Sequence, residues 1–501
     1  MLDFSKLQTN LKNEIMRKKI LFALILGIIT MDSAIAQTTI IAQGTCGAQG
    51  DNLTWVLTSD SVLTISGSGE MENYLPTPVP WSSYRTDIRS VVIEDGVTTI
   101  GNFAFHGCSS LASVIIGNSV TTIGNWAFEG SDLTSIIIPN SVTTIGNSAF
   151  ANTNLTSVTV SSSVTTIGAF AFSNCSLMSI NVDDNNLYFT SENGVLFDKQ
   201  KATIMQYPAG KSDTTYIIPN TVTTIGHGAF SRSSLTSIII PNSVTTIGNS
   251  AFWSCSNLTA IIIPNSVVTI GNSTFQDCTN LTSVIIGNSV TVIGERAFIG
   301  TALTSVVIPN SVTTIGNFAF QGCSNLTSVI IGNGVTSIGR SAFSGCIALT
   351  SVVIGSGVTN IGLSAFWNCS NLTSVTCYAL VPPNLSSLAF SRITRTHLYV
   401  PEQSLELYKQ TPIWQDFIIR PIQETSITET QTAQKFIFPN PVTDSFQISG
   451  IEENTLVTIS DINGRIVMQQ MVSPNENVLV NHLSQGTYFV NAGGKTMKII
   501  R

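Results

Sequence analysis

Apolar and polar residues alternate along most of this chain in a unit that repeats every 22 or 23 residues. Each unit contains a segment of the form L-x-x-V-x-I, which alternates as a strand with one buried face should. A turn of Pro or Gly followed by Asn-Ser comes next, then a shorter extended segment V-T-T-I-G, and Ala-Phe closes the unit. The pattern predicts two short strands per unit and a phenylalanine ring that points into the core.

The dipeptide Ile-Gly marks the period and shows one interruption. Successive copies are 22 or 23 residues apart, except for a 58-residue gap between Ile167 and Ile225. We interpret this gap as one ordinary unit plus an enlarged unit at about 183–219, in which 194–197 and 203–208 form an extra hairpin. The isoleucines of the copies are Ile100, Ile123, Ile145, Ile167, Ile225, Ile247, Ile270, Ile293, Ile315, Ile338 and Ile361.

A single unit is too small to fold alone. Burying about six apolar side chains gains roughly 10–15 kcal/mol, whereas ordering some 22 residues costs about 1–2 kcal/mol each. Stacked units share ladder hydrogen bonds and cover each other's apolar faces. We therefore predict a mainly β solenoid of 22–23-residue rungs over 88–390, with an N-terminal cap at 37–87 and a C-terminal cap at 391–422.

The recurrent unit I-G-x-x-A-F-x-x-C-x-x-L-x-x-V-x-I-P-x-S-V-x-x-I-G resembles the BspA-like leucine-rich repeats of bacterial surface proteins. The resemblance covers roughly 88–390, and it extends to the Gly-Val-Leu-Phe of the enlarged unit and to the Gly-Thr-Cys-Gly at 44–47. It implies an exported protein that binds a macromolecule, either a protein or a glycan, of a host or a neighbouring cell. A structural, self-associating component of the cell envelope is the alternative function.

Both ends of the chain carry features of an exported protein. Basic residues at 17–19, an apolar run at 20–30 and small residues at 34–36 predict a signal peptide over 1–36, with Met16 as an alternative start. The apolar run is too short to span a bilayer, which needs about 20 residues. Near the other end, the polar stretch 423–434 predicts a linker.

The segment 435–501 differs from the repeats and predicts a small β-sandwich, because Asn463-Gly464 lies between two alternating runs as in a hairpin. It resembles the type A sorting domain of type IX secretion. The resemblance implies the type IX secretion machinery as a partner and a location at the bacterial outer-membrane surface or outside the cell. Its motif positions are Pro439, Asn440, Pro441, Asp461, Gly464, Arg465, Gly486, Tyr488 and Lys498.

Charge and composition exclude several functions. Charged residues make up 10% of the chain and the net charge is −7, so we expect no nucleic-acid partner, which needs clustered Lys and Arg. The repeats contain no nucleophile with a base and no facing pair of carboxylates. The histidines have no metal-ligand spacing. We therefore expect no enzyme activity, no catalytic residues, no metal and no cofactor. The four histidines are His106, His227, His397 and His482.

Three motifs leave alternatives open. Seven of the nine cysteines follow a repeat phenylalanine by three residues; they are free thiols at a buried site for a small apolar group, or disulfides between stacked pairs such as Cys255 and Cys278. Asp183 and Asp184 begin an Asx turn or bind calcium. The repeated Asn-Leu-Thr is a structural turn or a glycosylation site, and it occurs at Asn257, Asn280, Asn325 and Asn371.

The fifth position of L-x-x-V-x-I points away from the core and is apolar in most units. At about 4.8 Å per rung it forms a stripe roughly 25–30 Å long, flanked by serine. Exposed contiguous apolar surface usually marks an interface, although strand propensity or cover from a neighbouring loop would also explain it. An earlier block, Val92, Ile115 and Ile137, precedes the interrupting Thr159 and Asn181. The predicted binding stripe is Ile239, Ile262, Ile285, Val307, Ile330 and Val353.

Overall fold

A computed structural model describes two compact units, 1–422 and 423–501. In the first unit the described residues are 38–75, 79–386, 388–393 and 396–422. The signal peptide predicted over 1–36 and the linker predicted over 423–434 lie outside the described residues. In the second unit the described residues are 437–438, 445–448, 455–461, 466–473, 476–480, 483, 487–492 and 495–500.

Each rung of the solenoid contributes one longer and one shorter strand, as the alternation predicted. The longer strands form one side of the solenoid, the long-strand face, and pair in parallel with neighbouring rungs within five separate sheets. In the rung that contains Ile137, this segment is not a strand. The long strands are Ser90–Ile93, Ser113–Ile116, Ser157–Val160, Ser179–Val182, Thr215–Ile217, Ser237–Ile239, Ala260–Ile262, Ser283–Ile285, Ser305–Ile308, Ser328–Ile331, Ser351–Ile354 and Ser374–Cys377.

The shorter strands form a second side, with isoleucine paired to isoleucine in successive rungs. Ile247 pairs with Ile270, for example, and Ile270 with the next rung in turn. These side chains are buried, which explains why Ile-Gly marks the period. The short strands are Val97–Ile100, Thr122–Ile123, Thr144–Ile145, Thr166–Ile167, Thr224–Ile225, Thr246–Ile247, Thr269–Ile270, Val292–Ile293, Thr314–Ile315, Ser337–Ile338, Asn360–Ile361 and Asn384–Leu385.

The phenylalanines of the Ala-Phe pairs stack along the core in two ladders. The first runs from Phe105 to Phe172, and the second runs from Phe230 to Phe390 with ring centroids 4.9–5.2 Å apart and nearly parallel planes. Stacked, offset rings add a favourable quadrupole interaction to the burial of their apolar area. The enlarged rung separates the two ladders.

The turn around each Ala-Phe pair contains two residues in the left-handed region, and we call this side of the solenoid the turn edge. The sequence did not indicate these conformations, because bulky residues occupy many of the positions. Aromatic residues such as Phe103, with a φ of 58°, adopt them, although this region disfavours residues that carry a Cβ. The residues before Ala-Phe or its equivalent are Phe103, Trp126, Ser148, Phe170, Gly228, Ser250, Ser273, Arg296, Phe318, Ser341, Ser364 and Leu388.

The enlarged rung inserts an antiparallel meander, Phe189–Glu192, Val195–Asp198 and Thr203–Gln206, which includes the predicted hairpin and one further strand. Its last strand occupies the short-strand position, since Ile204 pairs with Ile225 in parallel. The short-strand side is therefore divided into a five-stranded sheet before this rung and an eleven-stranded sheet that begins with the meander.

Asn186 ties the enlarged rung to the rung before it. Its Nδ2 donates to the carbonyls of Ser161 (2.8 Å) and Val164 (2.9 Å), and its Oδ1 accepts from the N–H groups of Tyr188 and Phe189. The side chain is fully buried, so all of its polar capacity is used inside the protein. Ahead of it, Asp183 and Asn185 form an Asx turn: the Asn185 N–H donates to the Asp183 Oδ1 (2.9 Å).

Both ends of the solenoid are covered. An antiparallel meander, Ile40–Gly47, Gly50–Thr58 and Val62–Gly67, precedes the first rung and pairs with Ser90–Ile93. It is followed by the two-residue strand Gly69–Glu70 and the 3-10 turn Ser82–Tyr84. At the other end lie the two strands His397–Val400 and Ile418–Pro421. Between them come the 3-10 turn Glu402–Ser404, the short α-helix Leu405–Gln410 and the 3-10 turn Trp414–Asp416.

The second unit contains two antiparallel sheets with a shared apolar cluster that includes Phe446, Ile459 and Val490. The predicted hairpin strands pair in antiparallel fashion on either side of the Asn463-Gly464 segment. The β-sandwich stays a prediction. The strands are Ile437–Phe438, Ser445–Ile448 and Asn477–Leu479 in one sheet, and Ile466–Val472, Thr455–Asp461, Thr487–Ala492 and Lys495–Ile500 in the other. Among the described residues, no helix is long and apolar enough to cross a membrane.

Candidate functional site

The predicted stripe lies on the long-strand face. Ile262 pairs directly with Ile285, and Val307, Ile330 and Val353 follow one another in register. Parallel in-register pairing puts identical positions one strand spacing apart, so Ile262 and Ile285 form one row and Val307, Ile330 and Val353 form another. The two rows follow one another along the stack of rungs.

The stripe residues are exposed to different degrees. Val307 is 59% exposed, and Ile285 and Ile330 are 44% and 42% exposed. Ile239, Ile262 and Val353 are half-buried. The residues on either side of them in the strand, such as Ile261 and Ile263, are buried, which is the alternation expected of a strand with one face in the core.

The row is longer than the sequence analysis proposed. Ile217 pairs with Ile239 and is 69% exposed. It was missed because Asp213 and Tyr216 replace the Leu and Val of the L-x-x-V-x-I segment in this rung. At the other end, Val353 pairs with Thr376, where the row becomes polar. We define the stripe from here on as Ile217 together with the six predicted residues.

Threonine hydroxyls beside the stripe form hydrogen bonds from one rung to the next. The hydroxyl of Thr236 donates to the carbonyl of Thr214 (2.9 Å), and Thr259 and Thr327 bond to the preceding rung in the same way. Because the hydroxyls are engaged along the axis, the face presents methyl groups and short side chains. No Asp, Glu, Lys or Arg occurs in the long strands from Thr215–Ile217 to Ser374–Cys377. The face is therefore flat and uncharged.

The charged residues of this block lie instead on the turn edge. The guanidinium of Arg232 lies 5.1 Å from the ring centroid of Trp253, and that of Arg296 lies 5.2 Å from the ring of Phe318. Such cation–π contacts anchor long side chains. Charge and apolar surface are thus separated onto different sides of the solenoid.

The earlier block of the stripe is shorter. Ile115 pairs with Val92, and Ile115 and Ile137 are 59% and 77% exposed. Thr159 pairs with Asn181 beyond it, so the interruption expected at these two residues is present as a polar break in the row.

The cysteines that follow the phenylalanines have a polar role that the sequence analysis missed. The thiol of Cys323 donates to the carbonyl of Phe298 in the preceding rung (3.2 Å), and Cys278 and Cys369 bond to the preceding rungs in the same way. Where the turn is shorter, Thr301 donates to the same Phe298 carbonyl (3.0 Å). All nine cysteines are buried thiols in the structure. The site therefore selects a small donor and not only a small apolar group.

Burial makes the thiols of Cys108 and Cys323 unreactive. It raises the pKa of Cys108 to about 12, despite the opposing effect of Arg85, and the pKa of Cys323 to about 11, partly offset by the bonds from Thr301. The thiolate is the reactive form of cysteine, and it is scarce at neutral pH. Among the described residues, no group of three or more His, Cys, Asp or Glu side chains could hold a metal ion.

Three residues of the predicted sorting motif lie in described strands. Asp461 pairs with Tyr488 across neighbouring strands, and Lys498 pairs with Phe489 in the last sheet pairing. Tyr488 is buried. The motif positions outside the described residues are Pro439, Asn440, Pro441, Gly464, Arg465 and Gly486.

Family comparisons match both parts of the chain. The BspA type leucine rich repeat region matches 82–194, 209–316 and 291–411. The secretion system C-terminal sorting domain matches 436–501. The sorting domain indicates export to the cell surface or the extracellular space and implies the type IX secretion machinery as a partner.

A solved structure that is 30% identical shows the same fold. A leucine-rich repeat protein from Eubacterium ventriosum is 30% identical, with a TM-score of 0.55, and the match covers 71% of this chain and 96% of that protein. A leucine rich cell surface protein from Faecalibacterium prausnitzii is 26% identical over 64% of this chain and 95% of that protein, with a TM-score of 0.40. The pneumococcal vaccine antigen PcpA is 19% identical over 76% and 98%, with a TM-score of 0.46. No curated protein matches this chain.

Proposed function

Because this chain belongs to the family of BspA-type leucine-rich-repeat proteins, we propose that it is an adhesin-like protein that binds a macromolecule of a host or neighbouring cell through its stripe. Leucine-rich-repeat domains are protein-interaction modules, and a protein surface is the partner that the stripe fits best. The sorting domain supports display at the bacterial outer-membrane surface or release from it.

The observation that carries this proposal is the row of exposed apolar side chains on an uncharged face. Ile217 and Val307 expose more than half of their surface to solvent. A soluble protein rarely keeps such a contiguous apolar row unless a partner covers it. Because no charged group is present in these strands, recognition depends on shape and apolar contact and gains little from electrostatic steering.

We also propose that the protein is not an enzyme. Leucine-rich-repeat proteins are generally non-enzymatic structural or binding proteins. The chemistry of the stripe supports the same conclusion, since it consists of aliphatic side chains flanked by Ser and Thr, and the Thr hydroxyls bond to the neighbouring rung.

A self-associating envelope component is the second candidate function. It is favoured by exposed apolar residues in the two outermost strands of the solenoid, Ile40 and Ile41 in the first and Ile418 in the last. Unpaired strand edges are templates for addition of another chain. Stacking of solenoids through these ends would leave the stripe free, whereas face-to-face association would cover it.

The test is the triple variant Ile262→Ser, Ile285→Ser, Ile330→Ser in the mature full-length protein. Pull-down from host matrix and bacterial surface extracts identifies the bound partner, and its affinity for the variant is then measured. A matched control replaces apolar residues of similar exposure that lie outside the long strands, Val268, Ile347 and Leu380, by Ser.

We expect the stripe variant to lose at least tenfold in affinity while its thermal stability changes little, because it removes side chains on the outer side of the strands and leaves the core intact. The control should bind as the unchanged protein does. Unchanged binding by the stripe variant would reject the stripe as the site. Sedimentation of the unchanged protein separates the second candidate: concentration-dependent polymers favour self-association, and a stable monomer favours adhesion.

A further inference from the structure

A hydrogen-bond ladder runs along the turn edge from each rung to the next. The Phe150 N–H donates to the Ala171 carbonyl (2.9 Å), and the Asn152 N–H donates to the Ser173 carbonyl (2.9 Å). The same pattern continues rung by rung after the enlarged rung, for example from the Phe252 N–H to the carbonyl of the following turn. Each turn therefore supplies the acceptors for the donors of the turn before it.

This ladder is broken at the enlarged rung. That rung has Tyr207 where the others have Ala-Phe, and the Tyr207 N–H donates onward to the Ala229 carbonyl (2.7 Å). No hydrogen bond in the described part of the chain uses the N–H of Phe170, Phe172 or Asn174. Three donors that every other turn would satisfy are thus left over on one side of the break.

A groove of about 130 Å³ lies at the break. Residues of the turns on both sides line it, since the turn that would fill it is absent. The residues that line the groove include Phe170, Asn174, Ser231, Ser250, Trp253 and Gln276. Pockets for whole ligands measure about 300–1,000 Å³, so this groove accommodates one ring of a longer molecule.

The groove contains buried polar atoms with no partner. Asn152 donates from Nδ2 to Glu129, and Asn174 donates from Nδ2 to the Oδ1 of Asn152 (3.0 Å). The Oδ1 of Asn174 is the last acceptor of this row, faces the missing turn and has no partner. Ser231 is 2% exposed, and its Oγ is also unpaired. Buried polar groups are nearly always hydrogen-bonded, so these two atoms are open to a hydrogen-bond partner from outside the chain.

The chemistry of the lining defines the chemical class of the ligand. Amide and hydroxyl groups supply both donors and acceptors, the rings of Phe170 and Trp253 supply apolar surface, and no ionisable side chain is part of the lining. Arg232 is held over the Trp253 ring at 5.1 Å and fixes the position of the indole. A neutral ring with hydroxyls at its rim and C–H groups on its faces matches this set.

We propose that the groove binds one pyranose ring of a neutral glycan. The Oδ1 of Asn174 accepts a hydrogen bond from one of its hydroxyls, and the Oγ of Ser231 forms a hydrogen bond with another. Trp253 contacts its C–H groups. The neighbouring sugars continue along the turn edge, outside the groove. This site is separate from the stripe, so it stands or falls independently of the proposed function.

The test is affinity electrophoresis of the full chain through gels that contain soluble mannan, glucan, xylan or galactan. We expect at least one of these polysaccharides to retard the protein. Trp253→Ala should abolish the retardation. The matched control is Trp367→Ala, because Trp367 occupies the same position after Ala-Phe, lies under an arginine as well (Arg392, 4.8 Å) and is remote from the groove.

A second variant separates binding from folding. Removing an unpaired buried hydroxyl relieves a desolvation penalty, so Ser231→Ala should leave the melting temperature unchanged or raise it. The same change should weaken polysaccharide binding about tenfold, the usual size of one lost hydrogen bond. The proposal is overturned if no polysaccharide retards the chain, if Trp253→Ala and Trp367→Ala reduce retardation equally, or if Ser231→Ala leaves binding unchanged. Retention of a peptide in place of a glycan would also overturn it.

Discussion

The indole ring of Trp81 lies parallel to the ring of Phe105, with centroids 5.4 Å apart, and its Nε1 donates to the carbonyl of Ala104 (2.8 Å). Trp81 is fully buried. It therefore occupies the place that the phenylalanine of a preceding rung would take. At the opposite end Trp414 contacts Phe390, and its Nε1 donates to the carbonyl of Pro383 (2.9 Å). Each end of the aromatic stack is closed by a tryptophan that also satisfies a backbone carbonyl.

Replacing Trp81 by Ala should lower the free energy of unfolding by about 3–5 kcal/mol, the usual cost of removing a buried aromatic ring. Hydrogen exchange should then be fastest in the strand Ser90–Ile93, which lies next to the lost ring. Urea unfolding measures the first effect and amide exchange the second. Trp126→Ala is the control, because Trp126 stacks on Phe103 but is half-buried, and it should cost about 1 kcal/mol. Equal losses in the two variants would contradict the capping role.

Asn186→Ala should be strongly destabilising, by at least about 3 kcal/mol, because it leaves two N–H groups and two carbonyls unpaired in a buried place. Urea unfolding of the full chain provides the measurement. Asn185→Ala is the neighbouring control; Asn185 is exposed and bonds only to Asp183, so its loss should cost less than about 1 kcal/mol. A small effect at Asn186 would show that the enlarged rung is held by other contacts.

Asn186→Asp adds a pH readout at the same position. A carboxylate would face the carbonyls of Ser161 and Val164, and burial would raise its pKa above the unfolded value. Relative to the unchanged protein, this variant should therefore be least stable at neutral pH. Its stability should recover as the pH falls through the raised pKa, and the recovery should be complete below about 4, where the unfolded carboxyl is also protonated. A stability difference that does not vary with pH would contradict the orientation assigned to the Asn186 amide.

Stability should fall as the solution becomes alkaline. Burial raises the pKa of the Cys175 and Cys323 thiols to about 11 from the usual 9.0. Above pH 9 the unfolded chain releases these protons and the folded chain retains them, so stability is full below pH 9 and is lost between pH 9 and about 11. Urea midpoints at pH 7.5, 9 and 10 test this.

Cys323→Ser is the control for the alkaline effect. Serine keeps a donor for the Phe298 carbonyl but does not ionise. Its unfolding free energy should fall with pH less steeply than that of the unchanged protein, by about 1.4 kcal/mol per pH unit above pH 9. Identical slopes would show that another group controls the alkaline transition.

Binding through the stripe should be nearly independent of salt. Screening weakens interactions between charges, and the long strands of the second block contain none. The affinity for the partner identified by pull-down should change less than about twofold between 50 and 500 mM NaCl. A tenfold loss over that range would assign recognition to the arginines of the turn edge, such as Arg232 and Arg296.

The period predicted most of the solenoid because every rung makes the same contacts. Ile247 and Ile270 occupy equivalent positions and therefore have equivalent burial. A correct interpretation of one unit therefore applies to the others. The alternation of strands likewise placed the row that contains Ile285 and Val307 on the outside. These features follow from local sequence pattern and stacking alone.

What the pattern could not predict depends on contacts outside the period. Ile217 lies one period before Ile239, but its segment lacks the Leu and Val that mark the other rungs, and Asn186 has no counterpart in other rungs. The groove could be predicted only from the knowledge that Phe170 and Gly228 are neighbours, although 58 residues separate them in the sequence. Left-handed conformations at Phe103 and Trp126 were also invisible, since such bulky residues seldom adopt them.

The contact between Phe170 and Gly228 has a consequence for how the chain finds its native pairing. A stack of near-identical rungs has translational symmetry, so a slip by one period exchanges isoleucine for isoleucine and phenylalanine for phenylalanine. At this contact the symmetry is broken. A Cβ at Gly228 would lie 2.4 Å from the ring of Phe170, and the next turn offers Ser250 at the same place. The slipped pairing therefore clashes, and the one glycine at this position gives an otherwise repetitive chain a fixed origin from which its rungs are counted.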